Sequence, residues 1–446
     1  MTPGARIQEA MELLDEVWQK KSPPDVIVRV FFRKRRYAGS SDRQFIQDYV
    51  YAILRRRARL DWWIRQIGLC MPSQTRSRMI AYLALVCHMT PDEIAERFSG
   101  HKYCPRILIT NEFKLTKALH GQCLNNKNMP LSVTNEYPTW LKPDLENVWQ
   151  DKLGDEIAAL NTQAPVDVRV NSLKTTRDEA ALMLANASIE TQKTEFSPLG
   201  LRIFGTPRLT NTSAYKQGLI EIQDEGAQLV SMLCDAKPGM NVIDYCAGAG
   251  GKTLALAGAM ARNGKIFGNL IACDISLLRL DRLQARLKRA GATDVKCQTI
   301  KTEDNDQAIH RKVRADRVLI DVPCTGTGIW RRDPNAKWRL TPAEVMYYVE
   351  QQQLIMKKAA TLVKPGGRLI YVTCSLLQRE NENQVTWFLN ENPNFEIIPI
   401  TDIWSEAIGG ACPSTEACLR LTPFTTGTDG FFCAIVKLSV SHSKIC

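Results

Sequence analysis

The chain has 446 residues, 44% of them apolar and 24% charged, the make-up of a globular protein with room for two or three full-sized cores. No apolar run reaches membrane-spanning length, and Met1 to Leu14 carries Glu9 and Glu12 where a secretion signal would be basic and then apolar, so a cytoplasmic protein is expected. The net charge of +11 lies almost wholly in residues 1–130, which hold 22 Lys+Arg against 12 Asp+Glu, while the remainder hold 36 against 35. The surplus is concentrated in Arg33-Lys34-Arg35-Arg36 and in Arg55-Arg56-Arg57 with Arg59. Such clusters suit a polyanion, most simply nucleic acid, or else form a solvated helix face. The 14 cysteines include no C-x-x-C, and the five histidines show no ligand spacing, so neither a disulfide framework nor a metal site is expected. A chain with its own large cores is expected to be a monomer.

Residues 1–125 read as a helical bundle. Ile7, Met11, Leu14 and Val17 recur at helical spacing, and Ser22-Pro23-Pro24 ends that helix. Asp25 can cap a second helix bearing Val26, Val30 and Phe31. Ser41 or Asp42 can cap a third, with Phe45, Tyr49, Ala52 and Ile53 on one face, and Trp62, Trp63, Ile64 and Ile67 suggest a fourth. Thr90-Pro91-Asp92-Glu93 has the form of a capping box with Pro at the first helical position.

Asn and Pro residues from Gly121 to Pro143 break the pattern, and residues 126–164 read as a linker. Residues 165–223 form a small α+β segment, with a strand at Val166–Val170, a helix from Thr176 to Ala187 and a short strand near Leu201–Phe204. From Asp224 to about residue 440 strands and helices alternate. Strands are expected at Asn241–Tyr245, Leu270–Asp274, Val318–Asp321 and Leu369–Val372. Helices are expected at Thr253–Met260, up to Ala290, at Pro342–Leu362 and at Glu380–Leu389. This alternation predicts an α/β domain with a doubly wound, mainly parallel sheet and its ligands at the carboxyl ends of the strands.

Three motifs fall at such ends. Cys246-Ala247-Gly248-Ala249-Gly250-Gly251-Lys252-Thr253 is a strand-to-helix turn of small residues. It fails the Walker pattern, because Cys246 stands where the first Gly belongs, and the dinucleotide pattern, because Thr253 replaces the third Gly. What remains lets backbone amides approach a ligand closely. Asp274 ends the next strand, where an acid suits the hydroxyls of a ribose or, alternatively, caps the following helix. Lys252 contacts a ligand carboxylate or a neighbouring acid, or is a surface residue.

Asp321-Val322-Pro323-Cys324 places a carboxylate, which can hydrogen-bond the amidine edge of a cytosine, three residues before a thiol on a turn stiffened by Pro323. A second thiol, Cys374, follows Tyr371-Val372-Thr373 at another strand end. Either cysteine alone would usually be a small buried hydrophobe, but two thiols at strand ends beside a ligand turn suit nucleophilic chemistry on a base. After Cys324, Trp330 to Arg339 interleaves Arg331, Arg332, Lys337 and Arg339 with Trp330 and Trp338, a composition suited to phosphates and unpaired bases, or to a surface loop.

On these segments, with Gln223-Asp224-Glu225-Gly226-Ala227-Gln228, the chain resembles RNA cytosine-C5 methyltransferases of the RsmB/NOP type. Ser41-Asp42-Arg43, Ile53-Leu54-Arg55 and Leu60-Asp61-Trp62 resemble the NusB-like helical RNA-binding domain that precedes such enzymes. The resemblance covers most of the chain. It implies a Rossmann-like class I methyltransferase domain with S-adenosylmethionine held by residues 246–252, Asp274 on its ribose, and Asp321 beside it. It also implies that Cys374 is the nucleophile, that Cys324 assists release, and that the substrate is ribosomal RNA of the small subunit (16S). Two other readings stay open: methylation of transfer RNA by the same chemistry, and a non-catalytic RNA-binding ribosome assembly factor. Ala249 stands where the family has Pro, and the acid expected on the adenine side is Glu303 or Asp304.

Overall fold

The computed structural model describes residues 1–440 except 21, 72, 206 and 301–313. These form two compact units: residues 1–162 with 330–340, and residues 163–329 with the chain from 341 onward. Among the described residues no helix is long and apolar enough to cross a membrane.

The first unit is helical. Its leading helices are α1 (Pro3–Gln19), α2 (Pro24–Lys34), α3 (Ser40–Leu54), α4 (Arg57–Ile67), α5 (Gln74–Leu85), α6 (Pro91–Arg97) and α7 (Thr110–Leu119). The apolar stripe of α1 buries Ile7, Met11, Leu14 and Val17. The capping box at Thr90 forms with both of its hydrogen bonds, Glu93 N to Thr90 Oγ1 at 3.2 Å and Thr90 N to Glu93 Oε2 at 2.7 Å. Two expected caps do not form. Asp25 lies inside the first turn of α2, whose N-cap is Pro23, and α3 opens after Gly39 with Asp42 turned to Arg6 Nε at 2.7 Å. Residues 75–85 are buried on every side of α5, so that central helix shows no solvent-facing stripe.

Residues 126–164, expected as a linker, carry short helices at Leu131–Thr134, Lys142–Trp149 and Leu153–Leu160, with Tyr137, Leu141, Leu145 and Ile157 buried. The prolines that suggested a linker stand at helix starts, where the missing N–H costs nothing: Pro130 precedes Leu131 and Pro143 lies in a first turn. Trp330–Leu340 also differs from expectation. Trp330, Arg331, Asn335 and Lys337 are all buried, within the helical unit. Asn335 Nδ2 donates to Val17 O at 3.3 Å, and Arg55 Nη2 to Arg331 O at 3.1 Å. The aromatic rings and most of the cations are thus consumed by packing, not held out for phosphates and bases. The second basic cluster is similarly engaged, with Arg59 on Glu136 at 2.9 Å and Arg57 over the Trp338 ring. Arg33, Lys34 and Arg36 of the first cluster remain exposed.

The second unit opens with β1 (Val166–Val170), β2 (Thr191–Lys193), β3 (Gly200–Ile203) and β4 (Ile220–Ile222), an antiparallel sheet in the order β2-β3-β1-β4 backed by the helix Arg177–Asn186. Then come β5 (Asn241–Asp244), the small ribbon of β6 (Ala261–Arg262) and β7 (Lys265–Ile266), β8 (Asn269–Asp274), β9 (Lys296–Thr299), β10 (Ala315–Asp321), β11 (Val363–Thr373), β12 (Phe395–Ile398), β13 (Leu419–Leu421) and β14 (Phe431–Leu438). The large sheet runs β12-β14-β11-β10-β5-β8-β9, with β13 beside β14. The strands from β9 to β11 are parallel, and β14 is antiparallel to both β11 and β12. Alternate side chains enter different cores: Val242, Leu270 and Leu319 on one face, Ile243, Ile271 and Val318 on the other. The chain winds outward from β5 through β8 to β9, then returns to β10 on the other side of β5. That reversal opens a crevice at the carboxyl ends of β5 and β10.

Candidate active site

Four strand ends meet at this crevice. After β5, Tyr245 N donates to Leu319 O at 2.9 Å and Ala247 N to Cys273 O at 2.8 Å, which fixes the start of the glycine turn. Gly248 and Gly250 have φ of +55° and +84°, values that a side chain resists. A Cβ on Gly250 would run into Leu283, so that glycine lets two helices approach; a Cβ on Gly248 would project into open space. The turn's carbonyls are held from outside, Ala249 O by Arg286 Nη1 at 2.6 Å and Gly251 O by Arg169 Nη1 at 2.8 Å.

Asp274, at the end of β8, is buried and ties the glycine turn to the residues ahead of the next helix, whose N-cap is Ser276. Oδ2 accepts Gly248 N at 2.9 Å, and Oδ1 accepts Ser276 N at 2.8 Å ahead of the next helix. Each carboxylate oxygen keeps a second lone pair. The next residue, Ile275, is exposed and apolar. Glu303 and Asp304 lie outside the described residues. At the end of β5, Asp244 is buried and accepts Thr253 Oγ1 at 2.6 Å; burial pushes its carboxyl up to about 7.

Lys252 is nearly buried, and its Nζ donates to Asp321 Oδ2 at 2.6 Å. Burial pulls the ammonium down, but the attraction of Asp321, of the Cys374 sulfur and of Asp244 holds it above its ordinary value. Of the readings open for Lys252, the structure shows the neighbouring acid. The Asp321 side chain stays about one-third exposed at the strand end.

The two thiols come together. Cys324 Sγ and Cys374 Sγ lie 3.4 Å apart, with neither residue fully exposed. The hydrogen bond to Cys374 and burial push the Cys324 thiol well above its ordinary value. Their loops are stitched to each other: Val322 N donates to Val372 O at 3.1 Å, and Gly328 N to Cys374 O at 2.9 Å. The Cys374 turn is held by Asn381, whose Oδ1 accepts Thr373 Oγ1 at 2.6 Å and whose Nδ2 donates to Ser375 O at 2.9 Å. Among the described residues no cluster of His, Cys, Asp and Glu could hold a metal.

The sequence reading missed Arg169, which lies in a plain strand pattern, and Glu380 and Gln352, which fall in the expected helices Glu380–Leu389 and Pro342–Leu362 with no motif of their own. Only the pairing of β1 and the docking of the helix Pro342–Ala360 bring them to the crevice.

The turn offers an open cradle at Gly248, small residues on both sides and a carboxylate at the neighbouring strand end. Residues 246–252 and Asp274 therefore fit a nucleoside-bearing cofactor. With this sheet order they define a Rossmann-like methyltransferase that uses S-adenosylmethionine.

Residues 231–437 match the family described as 16S rRNA methyltransferase RsmB/F, and residues 137–208 match the ferredoxin-like domain of RsmF/B-like methyltransferases. A probable ribosomal RNA small subunit methyltransferase B of Synechocystis is 30% identical over 96% of this chain and 98% of its own length. Its counterpart in Bacillus subtilis is 24% identical over 96% and 98%. The crystal structure titled PH0851 superposes with a TM-score of 0.77 at 26% identity, covering 98% of this chain and 99% of that one. A methyltransferase homologue from Pyrococcus horikoshii gives 0.57 at 26%, covering 69% and 97%. The chain belongs to the RsmB/F family of methyltransferases.

Proposed function

We propose that the protein methylates carbon 5 of a cytosine in small-subunit ribosomal RNA through a covalent adduct on Cys374. The observation that carries this reading is the 3.4 Å approach of Cys324 and Cys374 beside the Lys252–Asp321 ion pair. One strongly raised thiol next to a second thiol and a fixed ammonium divides the work. Cys374 lies against Cys324 and within electrostatic reach of the Lys252 ammonium, the setting of a nucleophile, and Cys324 is placed to assist release.

RNA docks on the exposed face of α2, where Arg29, Arg33 and Lys34 accompany Val26 and Val30, and on the turn after it, with Arg36 and Tyr37. The target base is unpaired or extruded, at a cost of a few kcal/mol. Asp321 holds the amidine edge of the cytosine. Cys374 Sγ bonds to carbon 6, and the former C5–C6 pair makes carbon 5 nucleophilic. Bound S-adenosylmethionine supplies an electrophilic methyl group. Cys324, directly or through water, helps remove the carbon-5 proton; the C5–C6 double bond re-forms as the Cys374–C6 bond breaks.

Bisulfite sequencing of total RNA from cells with and without the protein tests this. A single small-subunit ribosomal cytosine that loses protection when the protein is removed is the expected outcome. Loss confined to transfer RNA overturns the substrate assignment. No change at all, together with calorimetry showing no S-adenosylmethionine binding, overturns the activity.

A further inference from the structure

The structure assigns Glu380 as the positioning residue that sets the two thiols against each other. The inference rests on the proposed roles of Cys374 and Cys324 and extends them. Glu380 is fully buried, in a short 3-10 turn between β11 and the helix Glu382–Glu391. Its carboxylate gathers donors from three separate segments. Thr325, the residue after Cys324, donates its amide to Oε1 at 2.9 Å and its hydroxyl to Oε2. Ser375, the residue after Cys374, donates its hydroxyl to Oε2. Gln352 Nε2, from the helix Pro342–Ala360, donates to Oε1 at 2.9 Å and also to Pro323 O, the residue before Cys324, at 3.1 Å. One carboxylate thus holds both cysteine loops by their next residues, while Gln352 holds the first loop from the other side.

Four donors on two oxygens match the acceptor capacity of an ionised carboxylate. Burying that charge costs stability, as the upward push of burial on its carboxyl shows. A purely structural tie between two loops needs no charge. What a carboxylate adds is a rigid, branched acceptor that fixes both turns in one plane. Its charge also lies near Cys324. The Tyr371 hydroxyl on Glu380 O further locks the turn.

The test uses full-length protein with Glu380→Gln and Glu380→Ala. The probe is phenylarsine oxide, which forms two S–As bonds with paired thiols and releases water, so it reads the sulfur spacing without RNA or cofactor. Cys324→Ser gives the background. The expected result is that Glu380→Gln weakens arsenical binding at the pair and lowers kcat by on the order of 100-fold. S-adenosylmethionine affinity should stay as in wild type, and the fall in kcat should exceed what any drop in thermal midpoint accounts for. Wild-type arsenical affinity with wild-type kcat in Glu380→Gln overturns the inference, and so does a loss of kcat that only tracks a fall in thermal midpoint. If Glu380→Ala does not fold, Glu380→Gln decides alone. If the wild-type protein transfers no methyl group to RNA while the arsenical still distinguishes Glu380→Gln, the proposed function fails and the positioning role stands.

Discussion

The Sγ atoms of Cys324 and Cys374 approach to 3.4 Å although 50 residues separate them, because β10 and β11 are adjacent parallel strands in matched register, Asp321 opposite Val372. Each strand then adds a short turn, and the turns face each other. The two sulfurs are thus within hydrogen-bonding distance of each other.

That relationship predicts unequal phenotypes. Cys374→Ala should abolish methylation and leave no RNA bound to the protein after denaturation. Cys324→Ala should still form the covalent bond but resolve it slowly, so that a protein–RNA adduct survives denaturing electrophoresis and turnover falls roughly 10²–10⁴-fold. Exchanged phenotypes would reverse the two roles.

Lys252 should act on the pair through charge. Its ammonium is held by Asp321 and lies within electrostatic reach of Cys374. Lys252→Met removes that cation from the thiol pair, and Cys374 should react more slowly as a nucleophile. Iodoacetamide labelling of Cys374, followed by mass spectrometry across pH 6 to 10, should be slower in the variant than in wild type. An unchanged rate would leave Lys252 as the partner of Asp321 alone.

Much of this site was legible in sequence, for a physical reason. Parallel strands buried on both faces read as apolar runs, and their carboxyl ends are marked by the first polar residue: Asp244, Asp274, Asp321, Thr373. The turn glycines are visible because glycine adopts the left-handed φ values at Gly248 and Gly250 without the cost a side chain adds. What stayed hidden depends on contacts between distant segments. Strand β14 is an apolar run at Phe431–Leu438, but nothing local says that it inserts antiparallel between β11 and β12. Trp330–Arg339 has the composition of a nucleic-acid loop, and only its burial beside Val17, Arg55 and Asn161 shows otherwise. Glu380 sits in the polar run Gln378-Arg379-Glu380-Asn381, where burial leaves no local signature.

Gly328 carries a steric prediction. Its backbone touches that of Gly430: a Cβ at 328 would strike the Gly430 carbonyl and come within 2.8 Å of Cys374 O. Gly430 N donates to Gly328 O at 2.8 Å, so the two strands of backbone cannot separate cheaply. Gly328→Ala should therefore shift the Cys374 turn and destabilise the protein by about 1–3 kcal/mol. A matching drop in the urea midpoint, with loss of arsenical binding at the thiol pair, is the expected readout. Wild-type values for both would show that the turn yields freely.

Asp244 predicts a pH dependence. It is enclosed at the end of β5 with Thr253 as its hydroxyl donor, and Asp321, Lys252 and Asp274 are the charged groups facing it. Burial lifts its carboxyl from 3.8 in the open chain to about 7 in the fold. The folded state therefore holds this proton more tightly than the unfolded state. Its contribution to stability is fully present below about pH 4 and is lost as pH rises toward 7, with an upper bound of roughly 4 kcal/mol. Asn at this position keeps an acceptor for Thr253 and cannot ionise. Asp244→Asn should thus flatten the fall in stability between pH 4 and 7 and leave the protein more stable than wild type at pH 8, measured by urea midpoints at several pH values. Parallel curves for the two proteins across that range would mean that Asp244 ionises in the fold at its ordinary value.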